Sequence, residues 1–361
     1  MIITNITPLR YSPGKLEYFS FIRGDVGAQF HQGPEIYPFS DGRVLILWGA
    51  YDIQECSKDS VVLYSESDDQ GITWSAPQVF LKTPGCLNSA LLLQMRNTPK
   101  VLLFIRESFY VDYVEDKKHR IFTKWADYSK SYSRMILRES NDLGKTWSLG
   151  REMPFYCFEA LQIESGRILV SVYSLEKSKK EQFYIAYFLY SDDEGKTWEK
   201  SNDIIVPEKR GAMEPTFVEV SPNKIYCIIR NKSGYLYESI SEDGGKTWQS
   251  AKKTQIPAPE SMARLLKLKS GNVLLVWNNI PSTSQHPRHP LVTSLSCDGC
   301  ESWSEPKIIA DDIGLNQLSN HGISQLKDGR ILLGISHYYA TLPSFGDLEM
   351  AIFDEEWMSS R

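Results

Sequence analysis

The sequence predicts an all-β protein folded as a six-bladed β-propeller whose outer turns carry a repeated aspartate motif. Three observations lead to this prediction. An eight-residue pattern, Ser-x-Asp-x-Gly-x-Thr/Ser-Trp, recurs five times along the chain. A strand-like run rich in Val, Ile, Leu and Tyr precedes each copy, and six strand–turn–strand hairpins recur further upstream. Such a regular recurrence determines the architecture before any local feature does.

The repeated eight-residue pattern, called the Asp box below, predicts a tight turn that bonds to itself. Its Ser and Asp side chains accept hydrogen bonds from main-chain N–H groups ahead of them, and its Gly supplies a positive φ at little steric cost. The Trp packs the turn against a neighbouring sheet. We expect a distorted fifth turn, because Cys300 stands where the other boxes have Gly. The boxes are Ser67–Trp74, Ser140–Trp147, Ser191–Trp198, Ser241–Trp248 and Ser296–Trp303.

The six hairpins indicate one blade each. Their turn residues lie 57, 67, 57, 48 and 58 residues apart, and a box follows every hairpin except the last. This spacing predicts six four-stranded sheets arranged radially, in a single domain over residues 1–361. The last unit has no box, so we expect the N-terminal segment ITNITPLRY to supply a strand that closes the ring there. The turn residues are Gly42, Pro99, Gly166, Asn223, Gly271 and Gly329.

Composition and charge argue against two classes of binding partner, nucleic acids and membranes. The 361-residue chain has a formal net charge of −5 with interspersed signs, which argues against nucleic acid as a partner. No run approaches the roughly 20 apolar residues that a membrane span needs, so we expect no membrane partner. The N-terminal residues lack the apolar core of a signal peptide, which favours a cytoplasmic location. The oligomeric state stays open.

The six cysteines predict neither a disulfide framework nor a metal site. Their spacing is irregular, and the pair Cys297 and Cys300 lies inside the fifth box with no second pair nearby. We therefore expect a structural role for this pair. We also expect no catalytic metal and no cofactor.

The loops that precede the six hairpins are the predicted place of the functional site, because in a propeller they surround one mouth of the central channel. All six loops contain polar residues, which core packing explains poorly. A glycan or a small carbohydrate is the expected ligand. The candidate residues are His31, Gln32, Glu35, Asn88, Glu159, Glu214, Glu260, Arg264, Asn320 and His321.

From about His31 to Phe353 the chain resembles the sialidase superfamily of Asp-box propellers. The segment GAMEPTFVEVSPNKIYCIIR is similar to the sialidase segment in which a Glu activates the catalytic Tyr and an Arg binds the substrate carboxylate. The resemblance implies these roles for Glu214 and Arg230, which are 16 residues apart as in the family. It also implies that Arg288 is the family's third carboxylate-binding arginine and that Asp59 is the general acid.

Two positions depart from the sialidase pattern. The family's first arginine lies in an Arg-Ile-Pro triplet, and the aligned triplet here begins with Gln32. The family's nucleophilic Tyr comes from the last blade, where the corresponding loop here has Asn320 and His321. Tyr338 or its neighbour Tyr339, beyond that hairpin, is then the candidate nucleophile.

The resemblance implies an exo-acting glycoside hydrolase that releases a terminal acidic sugar, with a sialic acid or a related keto-deoxy acid as substrate. Planar guanidinium groups bind a carboxylate through paired, charge-assisted hydrogen bonds. Because that carboxylate repels an anionic nucleophile, the family uses a neutral Tyr that a Glu deprotonates, while an Asp protonates the leaving oxygen.

Two other functions stay open. His31 and His321 come from the first and last blades, and two imidazoles at one side of a channel suit acid–base chemistry near neutral pH. With Arg230 neutralising a uronic acid, they indicate a polysaccharide lyase, or a hydrolase for a uronic or other sugar. The second alternative is a non-catalytic glycan-binding propeller, since binding proteins also carry Asp boxes.

Overall fold

The computed structural model describes residues 11–24, 27–51, 60–109, 113–115, 124–126, 132–175, 182–341 and 344–360; at 88–89, 113–115 and 124–126 it describes the backbone alone. The chain forms two compact units. Unit 1 comprises Met1–Gln94, Pro99–Pro154 and Ile313–Arg361, and unit 2 comprises Met95–Thr98 and Phe155–Asp312. One domain over residues 1–361 stays a prediction.

Strands dominate both units, and one short helix follows the last strand. Asp354 caps this helix by accepting a hydrogen bond from the Trp357 N–H at 2.8 Å. Among the described residues, no helix has the length and apolar character to cross a membrane. The elements are β1 (Glu17–Ile22), β2 (Phe30–Pro38), β3 (Val44–Tyr51), β4 (Val61–Ser67), β5 (Gln78–Leu81), β6 (Cys86–Gln94), β7 (Val101–Phe109), β8 (Tyr113–Glu115), β9 (Lys124–Ala126), β10 (Tyr132–Ser140), β11 (Arg151–Met153), β12 (Glu159–Gln162), β13 (Ile168–Leu175), β14 (Tyr184–Ser191), β15 (Glu199–Lys200), β16 (Met213–Ser221), β17 (Lys224–Arg230), β18 (Tyr235–Ser241), β19 (Lys252–Pro257), β20 (Arg264–Lys267), β21 (Val273–Asn278), β22 (Leu291–Ser296), β23 (Lys307–Ala310), β24 (Gln317–Gln325), β25 (Ile331–Tyr339), β26 (Phe345–Phe353) and α1 (Glu355–Ser359).

Unit 1 joins the two ends of the chain in one eight-stranded sheet. Its strands follow the order β24, β25, β26, β2, β3, β4 and β5, and β1 pairs with β26. The β1–β26 pair is antiparallel, with Glu17 opposite Ile352. Of the segment ITNITPLRY only Tyr11 lies within the described residues, and it precedes this strand. A second sheet of unit 1 has the order β11, β10, β7 and β6, and β8 pairs with β9.

Unit 2 consists of three four-stranded sheets, each in chain order: β12 to β15, β16 to β19, and β20 to β23. The first two strands of each sheet form the predicted hairpins. Gly166 closes the first turn by donating its N–H to Ile163 O at 2.9 Å, and Gly271 does the same to Leu268 O at 2.9 Å. The prediction of these repeated hairpins is confirmed.

The Asp boxes have the self-bonded structure that their sequence predicts. In the first box, Ser67 Oγ accepts from the Gly71 N–H at 2.8 Å, and Asp69 Oδ1 accepts from the Thr73 N–H at 2.8 Å. Asp69 Oδ2 accepts from the Thr73 hydroxyl at 2.6 Å, and Trp74 Nε1 donates to Gly71 O at 3.0 Å. These bonds satisfy the polar groups of the turn locally.

The prediction of a distorted fifth turn is wrong. Cys300 adopts the left-handed conformation itself, with φ of +73°, and donates its N–H to Ser296 Oγ at 2.9 Å. Asp298 accepts from the Ser302 N–H at 3.0 Å, as the Asp does in the other boxes. The backbone penalty for a residue with a Cβ, about 1–2 kcal/mol, is thus accepted without loss of the turn. The Cys300 side chain is buried in the apolar core of unit 2.

Box tryptophans anchor these turns in the core of each unit. In unit 1, Phe21 makes edge contacts with Trp48 at 5.8 Å and with the box residue Trp74 at 5.5 Å. In unit 2, the box residue Trp248 stacks on Phe188 at 4.0 Å. The boxes therefore stabilise the sheets, and the candidate functional residues lie elsewhere in the repeats.

Candidate active site

Beta-bulges mark the candidate residues in the first strand of four of the predicted hairpins. A bulge inserts an extra residue, interrupts the ladder and re-aims a side chain. Glu214 and Asn320 lie in such bulges with φ of +44° and +46°, a conformation that is uncommon for residues other than Gly. Backbone strain of this kind, about 1–3 kcal/mol, concentrates at functional sites. The irregularities fall between Gln32 and Glu35, Leu87 and Ser89, Met213 and Thr216, and Ser319 and Gly322.

The central contact of unit 2 is an ion pair between the two residues that the sialidase resemblance singles out. Arg230 ends β17 and lies opposite Met213, so the bulge turns Glu214 towards it. The Arg230 Nη1 donates to Glu214 Oε2 at 2.6 Å. Their side chains are only 10% and 18% exposed. The pair is therefore largely shielded from water and stronger than a surface pair.

A second arginine–carboxylate pair lies in the same unit. Arg264 begins β20, and its Nη1 is 3.8 Å from Oε1 of Glu159, which begins β12. Glu159 also accepts a hydrogen bond from the Phe217 N–H at 3.3 Å. The Arg264 guanidinium lies over the Phe158 ring at 5.0 Å. Both partners are thus held by more than one contact.

Glu260 is the most deeply buried carboxylate of the unit 2 cluster. Its side chain is fully buried and forms an ion pair with Arg210. The Lys232 Nζ lies 3.8 Å from its other oxygen. A buried carboxylate needs such compensation, because its desolvation costs several kcal/mol. Two cations therefore face the Glu260 carboxylate.

Arg288 is held by main-chain carbonyl groups. Its Nε donates to Gln285 O at 3.1 Å, and its Nη2 donates to Glu260 O at 3.3 Å. Asn278 donates to the Arg288 carbonyl at 2.9 Å and so anchors the backbone. The Arg288 side chain is buried among these groups. Its position is thereby defined by the loops before β20 and β22.

Electrostatics connect these residues. Burial alone would raise the pKa of Glu214, but the positive charges of Arg230, Arg288 and Arg264 lower it below its ordinary value. Burial alone would lower the pKa of Arg230, but Glu214 and Glu260 raise it. Glu214 and Arg230 are therefore both charged at neutral pH. Three guanidinium groups acting on one carboxylate make this part of unit 2 a favourable place for an anion.

Unit 1 places the two candidate histidines in the interior. His31 is fully buried, and its Nδ1 accepts a hydrogen bond from Trp48 Nε1 at 3.1 Å. This bond requires an unprotonated Nδ1, which keeps the ring neutral unless the bond breaks. His321 is 1% exposed and Gln32 is 5% exposed. These three residues are packed within unit 1.

The candidate nucleophile Tyr338 is also interior. It is 2% exposed and belongs to a cluster with Phe30 and Tyr51. Asn320 Nδ2 donates to its hydroxyl oxygen at 3.3 Å. Its neighbour Tyr339 instead interacts through its hydroxyl with His337 Nδ1 at 3.0 Å.

The remaining predicted residues are Asp59, Asn88 and Glu35. Asp59 lies outside the described residues, and Asn88 is described by its backbone alone, at the bulge of β6. Glu35 is partly buried and lies opposite Leu47 in the β2–β3 ladder. In the part of the chain that the structure describes, no group of three or more His, Cys, Asp or Glu residues is arranged to hold a metal ion.

Sequence reasoning missed Arg210 and Lys232, although both neighbour predicted residues. Arg210 precedes Glu214 by four residues, and Lys232 follows Arg230 by two. The burial of Glu260 was the missing information, since a buried carboxylate implies nearby cations. Unit 2 brings together Glu159, Glu214, Arg230, Glu260, Arg264 and Arg288 in one network of contacts and charges.

Comparisons with solved structures identify the fold. NanB sialidase from Streptococcus pneumoniae, as its K499G mutant, matches with a TM-score of 0.70 at 17% identity, over 93% of this chain and 70% of that one. An intramolecular trans-sialidase from Ruminococcus gnavus, in complex with oseltamivir carboxylate, matches with a TM-score of 0.68 at 16% identity, over 93% and 97%. A protein of unknown function from Dyadobacter fermentans matches with a TM-score of 0.73 at 19% identity, over 94% and 99%. The predicted fold class, an all-β propeller, is confirmed.

Sequence comparisons agree with the structural ones. A curated sialidase from Bacteroides fragilis is 26% identical over 201 residues, which are 50% of this chain. The match spans only 35% of that relative's length. A family model described as a BNR repeat-like domain matches residues 42–333, well over half of the chain. The chain therefore belongs to the BNR repeat-like domain family.

Proposed function

We propose that this protein is an exo-acting glycoside hydrolase that releases a terminal acidic sugar, a sialic acid or a related keto-deoxy acid, from a glycan. The observation that supports the proposal most is the 2.6 Å ion pair of Glu214 and Arg230, on which Arg264 and Arg288 also act. A buried set of guanidinium groups suits the carboxylate of such a sugar. A neutral sugar would offer these guanidinium groups no charge-assisted hydrogen bond.

The residues of unit 2 take the following roles in the proposal. Arg230 and Arg288 bind the substrate carboxylate, and Arg264 adds a third positive charge. Glu214 activates the nucleophile by accepting its proton. Asp59 as general acid and Tyr338 as nucleophile keep the roles that the family resemblance implies.

The named relatives support the same class of substrate. The curated relative and NanB are sialidases, and the Ruminococcus gnavus trans-sialidase is in complex with oseltamivir carboxylate, a ligand that carries the same acidic group. At 16–26% identity their activities come to this chain only as part of the proposal.

The lyase alternative assigns catalysis to His31 and His321. It gains no support from the structure of unit 1, because His31 is buried and accepts a hydrogen bond from Trp48. The alternative that uses His31 and His321, a lyase or a hydrolase for a uronic or other sugar, and the non-catalytic glycan-binding alternative both predict outcomes that differ from the release of a sialic acid.

The test is a screen of the purified protein on 4-methylumbelliferyl sialic acid beside a panel of uronic-acid glycans. We expect sialoside hydrolysis, and Glu214→Gln to lower kcat/KM by roughly 10²–10⁴-fold, the size of a general-base contribution. Glu219→Gln is the matched control, because Glu219 is also buried in β16 but accepts from the Glu164 and Asn223 N–H groups at 2.6 and 3.1 Å. It should keep wild-type kcat/KM.

Other outcomes identify the alternatives. An unsaturated product that absorbs near-ultraviolet light indicates the lyase. Binding of a sugar without any release indicates the glycan-binding propeller. Full activity of Glu214→Gln on the true substrate removes Glu214 from the mechanism.

A further inference from the structure

The Glu214 carboxylate lies where a carboxylate ligand of Arg230 would lie. We infer that in the free protein Glu214 stands in for the ligand carboxylate on Arg230, so that ligand binding exchanges one carboxylate for another and releases Glu214. The identity of the incoming group as the carboxylate of an acidic sugar rests on the proposed function. The exchange itself depends only on the contacts within unit 2.

The guanidinium of Arg230 has capacity for a second partner. Its Nη1 donates to Glu214 at 2.6 Å, while its Nε is buried and has no hydrogen-bond acceptor in the described part of the chain. A guanidinium carries five N–H donors in a fixed fork and binds carboxylates in pairs of bonds. The single hydrogen bond to Glu214 therefore leaves at least one N–H donor of the Arg230 guanidinium without an acceptor. An incoming carboxylate gains more bonds than Glu214 gives up.

Glu214 is the carboxylate of the cluster that is easiest to displace. Within the described residues, Arg230 is the only hydrogen-bond donor to its side chain. Glu159 is also fixed by the Phe217 N–H, and Glu260 is fully buried between Arg210 and Lys232. Exchange at Glu214 therefore breaks one contact, whereas displacement of either neighbour breaks several.

The backbone shows that this placement is imposed by the fold. Glu214 has a φ of +44° in the bulge of β16, which costs energy for a residue with a long side chain. The surrounding ladder of β16 and β17 holds this conformation. Once Arg230 turns to the ligand, Glu214 loses its hydrogen-bonded cation, while Arg264 and Arg288 still act on it, and it lies beside a second negative charge, which favours uptake of a proton. Release thus prepares Glu214 for its role as a base towards the nucleophile.

The experiment removes the Glu214 carboxylate and offers Arg230 a small carboxylate in its place. Glu214→Gln removes the internal anion, and sodium acetate at neutral pH is the probe. We expect acetate to raise the Tm of this variant by about 2–4 °C more than sodium chloride at the same ionic strength, since a ligand that binds the folded state stabilises it. In the wild type and in Glu219→Gln, acetate should act no differently from chloride.

A second arm uses N-acetylneuraminic acid and calorimetry. Glu214→Gln should bind this sugar about tenfold more tightly than the wild type, because about 1.4 kcal/mol of internal competition is gone. A residue that merely contacted the sugar, or merely supported the fold, would instead weaken binding when replaced. If Glu214→Gln is recovered unfolded, its yield on refolding in acetate against chloride replaces the Tm measurement.

The two arms separate the inference from the proposed function. If acetate and chloride act alike on Glu214→Gln, the inference fails, and Arg230 has turned to another internal anion such as Glu260. If acetate stabilises the variant but neither protein binds or cleaves the sialic acid probes, the inference stands and the sialic acid proposal fails. If the wild type hydrolyses sialosides but the acetate effect is absent, the proposed function stands and the carboxylate exchange is wrong.

Discussion

Two bulges with nearly the same backbone φ differ in chemistry, because one holds an ion pair and the other a neutral hydrogen bond. In unit 2, Glu214 in β16 has a φ of +44° and forms a buried ion pair with Arg230. In unit 1, Asn320 in β24 has a φ of +46° and makes a neutral hydrogen bond to Tyr338 at 3.3 Å. The repeat therefore reproduces a geometry, and single residues decide what that geometry does.

The stability of the two bulges depends on their partners to different degrees. Charged partners in a poorly solvated place depend on each other strongly, because the loss of one leaves a buried charge. Neutral partners contribute only about 0.5–1.5 kcal/mol to stability. The two bulges should thus respond very differently to the removal of one partner.

The largest expected effect comes from removing the cation of the charged bulge. Arg230→Met should lower the free energy of unfolding by about 3–5 kcal/mol, because Glu214 is left buried without its partner. Tyr338→Phe, the equivalent change at the neutral bulge, should cost about 1 kcal/mol. Urea unfolding of both variants measures the difference.

The double variant Glu214→Gln with Arg230→Met is the control. It removes both charges and should recover most of the loss, since no unpaired charge is then left buried. Equal losses of unfolding free energy for Arg230→Met and Tyr338→Phe would contradict this expected difference between the two bulges.

Two Gly→Ala substitutions in unit 1 should have smaller effects on stability, one through steric crowding and the other through backbone conformation. A Cβ added at Gly322 would lie 2.0 Å from the main-chain oxygen of Pro34, whereas at Gly33 no atom lies within 4 Å and the φ is +62°. Gly322→Ala should therefore cost about 3 kcal/mol through overpacking, and Gly33→Ala about 1–2 kcal/mol through backbone strain alone. Thermal unfolding checks the order, and a larger cost at Gly33 would contradict it.

The smallest expected effect concerns the Asp boxes, which both units share. Hydrogen bonds from Thr146 and then Ser140 lower the pKa of Asp142 from 3.8 to about 2. Because the folded pKa is below the unfolded one, the stabilisation is complete above about pH 4 and is lost as the pH falls towards 2. The pKa values of Asp69, Asp193, Asp243 and Asp298 are lowered in the same direction.

Unfolding measured at pH 5 and at pH 2.5 tests this, with Thr146→Val as the matched variant. That substitution removes the first cause of the lowered pKa of Asp142. It should reduce the loss of stability between the two pH values. An unchanged loss would mean that the box carboxylates do not govern acid sensitivity, in either unit.

Much of the fold could be predicted from local patterns. The five boxes and six hairpins depend on turn residues and apolar runs that act over fewer than about ten positions, so the sequence shows them directly. The error at Cys300 has the same origin. Local preference penalises a Cβ at positive φ, but the network from Ser296 and Asp298 and the burial of the side chain outweigh that preference.

The candidate site could be predicted only in part. Glu214 and Arg230 could be predicted as site residues from the sequence, because one short segment carries both on adjacent strands. The dependence of Glu260 on Arg210 and Lys232 instead involves residues from loops that are distant in sequence. No local sequence pattern predicts which carboxylate becomes buried away from water in the folded chain.

Local sequence patterns specify the repeat, its turns and the residue types available at each strand start. Which of those residues are paired, buried or charged depends on the folded chain as a whole. The reason is physical: turn and strand preferences act between near neighbours, whereas desolvation and ion pairing depend on every group that folding brings within a few ångströms. Glu214 and Asn320 occupy equivalent bulges, and Arg230 near one and Tyr338 near the other make them different sites.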